Sequence, residues 1–418
     1  MGSPIRPEQD FPLGMVPPQI YLEASHTARS NARTGIQTVV RGLLSGLFAN
    51  HCGAHPVRWS FKHECLTPLK QEWETNLGMP GGRKAYLPPS LLLRPRLWPL
   101  LARTLGMDYK TPIHRHPSHA ERLNEGWLIL PELIEGRHVR LVAAYAKRHG
   151  LRVAGIFHDA IAWLHPELVL HWTREQHGDY MAALAELDVV IAVSHQSARQ
   201  FSEFVESRRA GRRQAMVCTL AAEIVGQERE THVKEAGGEA VKILCVSTLE
   251  PRKNHAALIE TFEAACSRLV DTRAELHFVG AAYASAPEIA GAVRAATTRN
   301  PAIFWHEDVG PDELRQYYRE CDFTVFGSWI EGFGLPVMES LWFGRPCLCH
   351  DQGVMAENAE GGGCLTVDTR DVEALATGLV KLAGDPDFRT ALGVQAVQRK
   401  LKTWSEYAAE ILGILRGI

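Results

Sequence analysis

The chain has 418 residues, more than one ordinary core accommodates, so two domains are expected. Hydrophobic residues make up 45% and charged residues 22%, the balance of a globular protein in water, and no apolar run approaches the ~18 residues of a membrane-spanning helix. Net charge is only −3, but residues 1–222 hold 26 Lys+Arg against 19 Asp+Glu (+7), and residues 223–418 hold 19 against 29 (−10). A basic first half can face an anionic membrane or acceptor, and ordinary surface variation accounts for the same numbers equally well. Met1 to Phe11 is polar and Pro-rich, without the apolar core of a secretory signal. Nine scattered cysteines, none in a Cys-x-x-Cys pair, suit reduced thiols in a cytoplasm.

In chain order, Gln19 to Glu23 reads as a first strand and Ser25 to Thr34 as a polar, flexible stretch. Gly35 opens a helix to about Phe48, with Ile36, Val39, Val40, Leu43 and Leu44 spaced for one apolar face. Residues 54–125 mix Pro, His, Arg and Trp and show no clear period. Regularity returns with a strand over Trp127–Leu130, a helix over Gly136–His149, a strand over Arg152–Phe157, a helix over Arg174–Leu187 and a strand over Val189–Val193. Ser194 is a plausible N-cap for the next helix.

Residues 225–240 lack apolar periodicity and read as a linker. Strands are then expected at Lys242–Val246, Glu275–Val279, around Phe304, at Phe323–Phe326 and at Pro346–Cys349. Between them lie helical patterns at Ala256–Leu269, Pro287–Thr297, Pro311–Arg319, Leu335–Phe343 and, last, Val372–Leu382. Two blocks of β/α alternation imply two parallel sheets, each covered by helices. Ligands of such folds bind in the crevice at the C-terminal ends of the strands.

Three segments near that crevice carry chemistry. Arg252 and Lys253 follow a strand and precede a helix, with Asn254 a plausible N-cap; two cations there can neutralise a diphosphate, or form a solvated basic turn. Glu331-Gly332-Phe333-Gly334-Leu335-Pro336-Val337-Met338-Glu339 runs from a strand into a helix with Pro336 in its first turn. The glycines at 332 and 334 allow close backbone approach, and the amides of Gly334, Leu335 and Val337 would aim the helix dipole at an anion. A carboxylate beside phosphate would repel it, so Glu331 should reach past to sugar hydroxyls, while Glu339 on the helix can accept from a ribose or merely cap or pair at the surface. In the first half, Gly155-Ile156-Phe157-His158-Asp159 ends a strand at the same kind of edge. His158 can bond a hydroxyl or a phosphate oxygen, or be structural; Asp159 can orient it or cap the next segment.

Thr248-Leu249-Glu250-Pro251-Arg252-Lys253-Asn254, then Glu331 to Glu339, with His158-Asp159 upstream, resembles the retaining glycosyltransferases of family 4. The resemblance runs from about Thr34 to the end and is strongest over 241–380. It implies an α/β GT-B fold of two Rossmann-like domains facing across a cleft. Residues 1–224 would form the acceptor-side domain, 225–240 the linker, and 241–402 the nucleotide-sugar domain. Residues 403–418, beginning near Trp404-Ser405-Glu406-Tyr407, would form a last helix packed back on the first domain. Thr34-Gly35-Ile36-Gln37 resembles the family's N-terminal loop near the donor diphosphate, in the version similar to mannosyl- and rhamnosyltransferases of polysaccharide assembly.

By position, the resemblance implies that Arg252 and Lys253 hold the donor phosphates. Glu331 would meet the transferred sugar, Glu339 the ribose, and His158 the sugar and scissile bond. Gly35, Gly332, Phe333, Gly334, Leu335 and Val337 would complete the donor site. Ser247, where relatives often have Gly, and Thr38, where this subgroup often has Arg, are departures. The reaction implied is transfer from a nucleoside-diphosphate sugar to a glycan or lipid-linked glycan with the anomeric configuration kept, without metal or resident cofactor. GDP-mannose is the favoured donor. A cytoplasmic enzyme is expected, with peripheral contact at the inner membrane face through the basic domain and no nucleic-acid partner. Epimerisation of a nucleotide sugar, or silent binding of one, stays open. His114-Arg115-His116-Pro117-Ser118-His119 is rejected as a metal site because Pro117 prevents a regular helical pair.

Overall fold

The computed structural model describes residues 19–30, 34–78, 126–169, 172–208, 214–235 and 237–418. The 114–119 histidines, the apolar and basic stretch 90–103, and Arg209, Arg212 and Arg213 lie outside the described residues.

The first sheet holds β1 (Gln19–Glu23), β2 (Ala54–Ser60), β3 (Cys65–Pro68), β4 (Gly126–Leu130), β5 (Leu151–Phe157), β6 (Val189–Ala192) and β7 (Met216–Val217), in the order β3-β2-β1-β4-β5-β6-β7. All neighbours are parallel except the β2–β3 hairpin. The second holds β8 (Val241–Val246), β9 (Ala274–Val279), β10 (Ile303–His306), β11 (Phe323–Val325), β12 (Cys347–His350) and β13 (Cys364–Val367) in the order β10-β9-β8-β11-β12-β13, all parallel. Each order runs outward in one direction from its first strand and then in the other. That reversal leaves a crevice between β1 and β4, and between β8 and β11.

The central strands β4, β6 and β12 are buried along nearly their whole length, so they are near-continuous apolar runs rather than alternating ones. Along β4, Trp127 and Ile129 face one core while Leu128 and Leu130 face the other. One core is continuous between domains: Ile20, Leu22 and Ile129 share it with Val337, Met338 and Leu341 and with Trp404 and Tyr407.

The helix Trp404–Gly417 crosses back onto the helix Gly35–Ala49. Glycine makes this possible: a Cβ on Gly42 would lie 2.2 Å from the Trp404 ring, and one on Gly46 would lie 2.0 Å from the Trp404 carbonyl oxygen. The Trp404 amide donates to Glu223 Oε2 at 2.7 Å and its indole N–H to Glu223 O at 2.8 Å, fixing the crossing point. Linker residues 225–235 and 237–240 form no helix or strand. They are held all the same, by Arg229 Nη2 on the carbonyls of Ala396 and Val397 at 3.1 Å each.

Several local expectations need correction. Ser25–Arg29 is a short helix, not an irregular stretch, because Glu132 accepts the His26 and Thr27 amides at 2.9 and 2.6 Å. Asn254 occupies the cap position before the helix His255–Cys266 but does not cap it with its side chain. With φ 59° it is left-handed, and its Nδ2 donates instead to Thr369 O at 2.8 Å.

Candidate functional site

The site forms where both crevices meet. In the second domain, β8 ends just before Ser247 and the chain turns through Pro251–Lys253 as one 3₁₀ turn. That turn delivers Arg252 and Lys253 to the edge of β11. The loop after β11 returns Glu331 to them. Lys253 Nζ lies 2.5 Å from Glu331 Oε1, and Arg252 Nη1 lies 2.5 Å from Glu331 Oε2. Glu250 holds the other side of the guanidinium, 3.0 Å from Arg252 Nε. Phe326 lies beneath Lys253, its ring centre 4.9 Å from Nζ.

Glu331 and Lys253 are buried, so each charge depends on its partner. Burial alone would raise the Glu331 carboxyl, but Arg252 and then Lys253 outweigh it and hold the group down at about 2. Burial works against the Arg252 charge as well, and Glu331 with Glu250 more than offsets it, so the guanidinium titrates above its usual range. For Lys253, burial and the adjacent Arg252 win, and the ammonium sits below its usual range. The cluster is a compact pair of cations on one buried carboxylate.

Gly334 takes the left-handed conformation, φ 84°, as the chain enters the helix Leu335–Trp342. A residue with a Cβ is strained there, and the turn needs it. Val337 does not present a free amide as expected: it donates to Gly334 O at 3.1 Å in a tight first turn. Pro336 has no N–H, so the amides of Gly334 and Leu335 remain for an anion. Gly35, at the start of its own helix, lies across from this point, its Cβ direction 3.8 Å from Leu335 Cδ1.

Glu339 projects half-buried from the same helix. Tyr318, fully buried and stacked on Phe343 at 5.1 Å, donates its hydroxyl to Glu339 Oε2 at 2.8 Å. Burial pushes the Glu339 carboxyl up, and the Tyr318 bond opposes that.

From the first domain, His158 closes the opposite wall. Its Nε2–H donates to Pro131 O at 2.7 Å, and burial lowers its pKa, so the ring is neutral with Nδ1 as the acceptor. Asp159 caps the next segment, accepting the Ile161 amide at 2.9 Å. Gly332 presses on this wall: a Cβ there would lie 2.4 Å from His158 O. Ser197 Oγ bridges the domains at 2.7 Å from His158 O and 3.1 Å from Gly332 O, and Ser194 Oγ lies 2.9 Å from Gly332 O. Glu357 adds an outer tie, accepting the His195 amide at 3.1 Å and pairing with Arg199 at 3.1 Å.

The structure thus gathers Arg252, Lys253, Glu331, Gly332, Phe333, Gly334 and Leu335 at one cleft, with Gly35 and His158 across it and Glu339 on the adjoining helix. Sequence reasoning missed Glu250, Tyr318, Ser197 and Glu357. The Glu-Pro-Arg spacing points to Glu250; the others act through contacts distant in sequence and had no local signal.

A cleft of this kind defines a class, the two-domain GT-B proteins, and comparison with solved structures agrees. The Anabaena Alr3699/HepE structure in complex with UDP and glucose superposes with a TM-score of 0.65 at 14% identity, over 96% of this chain and 100% of that one. Sucrose-phosphate synthase from Thermosynechococcus elongatus gives a TM-score of 0.65 at 18% identity over 96% and 98%. Within that fold, residues 240–385 match the family model described as Glycosyl transferases group 1. Among curated relatives, the serotype-specific mannosyltransferase WbdA of Escherichia coli is 25% identical over 362 residues, 82% of this chain. This chain spans about two fifths of the length of that relative (40%). Among the described residues, no helix is long and apolar enough to cross a membrane.

Proposed function

We propose that the chain is a retaining glycosyltransferase of the family 4 type, moving a sugar from a nucleoside-diphosphate sugar to a glycan or lipid-linked glycan acceptor. The observation that carries this reading is the buried Arg252–Lys253–Glu331 cluster beside the open amides of Gly334 and Leu335. Two cations and a helix N-terminus suit a leaving diphosphate, whose charge grows as the glycosidic bond breaks. A bound diphosphate would draw Arg252 and Lys253 partly away from Glu331, freeing that carboxylate to accept sugar hydroxyls. Glu339 Oε1, opposite the oxygen held by Tyr318, would take a ribose hydroxyl.

In the reaction the bond from the anomeric carbon to the phosphate oxygen breaks, and the bond to the acceptor oxygen forms on the same face. The acceptor proton passes to the departing phosphate. His158, neutral at its carbonyl partner, would position the sugar through Nδ1 rather than deliver a proton. The cations carry the charge a metal would otherwise carry, so the proposed reaction is metal-independent and needs no resident cofactor. GDP-mannose is the proposed donor, on the strength of the mannosyltransferase relatives. The proposed enzyme is cytoplasmic, and the +7 balance of residues 1–222 suits contact with an anionic membrane face.

The test is thermal unfolding with GDP, UDP, dTDP and ADP sugars, since a ligand that binds the folded state raises its melting temperature. One donor should stabilise the native chain and fail to stabilise Lys253→Ala. Equal stabilisation of both would remove the phosphate role. Binding without turnover across an acceptor panel would make the chain a nucleotide-sugar binder.

A further inference from the structure

We propose that Trp329 and His165 form an acceptor subsite that takes a hexopyranose ring of the glycan receiving the sugar; this rests on the glycosyltransferase reading above. The two rings come from opposite domains. Trp329 lies two residues before Glu331, and His165 follows the short helix Ile161–Leu164 on the wall that carries His158. Their ring centres are 5.3 Å apart at 84°, an edge-to-face contact across the cleft.

The pair is not fully covered. Trp329 is half-buried, and the His165 side chain is 35% exposed, so part of each side chain remains open to solvent. An indole brings a large apolar area whose exposure is costly unless something packs on it. Domain closure does not require this contact, because Ser194, Ser197 and Gly332 close the buried part of the interface and Glu357 with Arg199 ties its outer part.

The polar atoms around the rings match a sugar. His165 Nδ1 lies 3.2 Å from Glu167 Oε1, which orients the imidazole and leaves Nε2 to bond a hydroxyl. The Trp329 indole N–H supplies a donor. The Glu167 side chain is 65% exposed and keeps acceptor capacity. A pyranose has an apolar C–H face and a rim of hydroxyls, and the subsite offers aromatic surface with the indole N–H, His165 Nε2 and the Glu167 carboxylate around it.

Position excludes the donor half. The diphosphate belongs to Arg252, Lys253 and the 334–335 amides, and the transferred sugar to Glu331, all in the second domain. The Trp329 ring is turned instead toward the first domain. Same-face transfer needs the acceptor hydroxyl to enter beside the leaving phosphate, and Trp329 stands two residues before Glu331 on the loop that carries the proposed sugar contact.

The experiment measures transfer to α-mannotriose by the full chain, native and as Trp329→Ala, Trp329→Phe and His165→Ala, with saturation-transfer NMR of α-mannotriose on each folded protein. Trp329→Ala should raise the KM for mannotriose about 10-fold, the factor that ~1.4 kcal/mol of stacking represents. It should leave the donor KM where it was, and Trp329→Phe should recover most of the loss. His165→Ala should weaken mannotriose in the same direction. An equal rise in donor KM would place the ring on the donor and overturn the subsite. So would unchanged mannotriose binding in Trp329→Ala, or no mannotriose signal from a native chain that turns over donor. A native chain that turns over no donor sinks the glycosyltransferase reading itself, a separate and recognisable failure.

Discussion

Lys253 and Glu331 stand 78 residues apart in sequence and meet at 2.5 Å in a buried pair. One comes from the turn after β8 and the other from the loop after β11, so their meeting reads out the strand order of the second sheet. In the proposed reaction this ammonium would lie beside the departing diphosphate. Lys253→Ala should therefore cut turnover by about 10²–10³-fold, the usual scale for losing one preorganised charge partner at a reacting centre. Steady-state kinetics on the folded variant, with circular dichroism as the folding control, would check this.

The same pair gives the fold an acid-sensitive joint. Glu331 titrates at about 2 when folded, against an ordinary 4.5. Its stabilisation is thus full above about pH 4.5 and is lost as pH falls through 2. The contribution is on the order of 3 kcal/mol. Urea unfolding of the native chain and Glu331→Gln at pH 6, 4 and 3 should show the difference between them shrinking as acid is added. A difference that stays constant would mean the carboxylate is not held by the cations.

Tyr318 donates its hydroxyl to Glu339, the carboxylate proposed to meet the ribose. Tyr318→Phe leaves Glu339 Oε2 without its 2.8 Å donor while keeping the ring stacked on Phe343. The carboxylate would then swing or protonate, and ribose contact would weaken. The expected result is a rise in donor KM of about 3- to 10-fold with kcat little changed, from the loss of roughly 1 kcal/mol. A fall in kcat at constant KM would argue that Glu339 acts elsewhere.

Docking of the last helix can be tested apart from the chemistry. Gly46→Ala drives a methyl to 2.0 Å from a backbone carbonyl of Trp404, which cannot rotate away. Overpacking of this kind costs about 1–3 kcal/mol, and thermal unfolding should fall by several degrees. Gly413→Ala, on the same last helix with open space at its Cβ, is the control and should hold or gain stability.

Much of this was legible in the residues because parallel strands announce themselves as short apolar runs between helical periods. Every strand read in the second domain appears within a residue or two of its expected bounds. What failed to show did so for physical reasons. Pro56 and Arg58 break the pattern of β2, an outer strand whose only further neighbour is the short β3. The helix Pro386–Gln398 buries Arg389, Leu392, Gly393 and Ala396, a face too small and polar to signal its period. The helix Gly353–Ala359 and strand β13 are too short for one. At the site, residue types pointed to Arg252, Lys253 and Glu331, but not to their mutual ion pairing. Nor could residue types show that Ser197 joins His158 to Gly332, since that contact spans 135 residues on one side.

The central claim is transfer from a nucleotide sugar with the anomeric configuration kept, and product stereochemistry tests it most directly. GDP-α-mannose, with UDP, dTDP and ADP sugars in parallel, would be incubated with the chain in the presence of a chelator, and the anomeric proton of the first-formed product followed by NMR. One donor should be consumed, and its product should appear first as the same anomer. A first-formed product of opposite configuration, or no consumption until metal is restored, would contradict it.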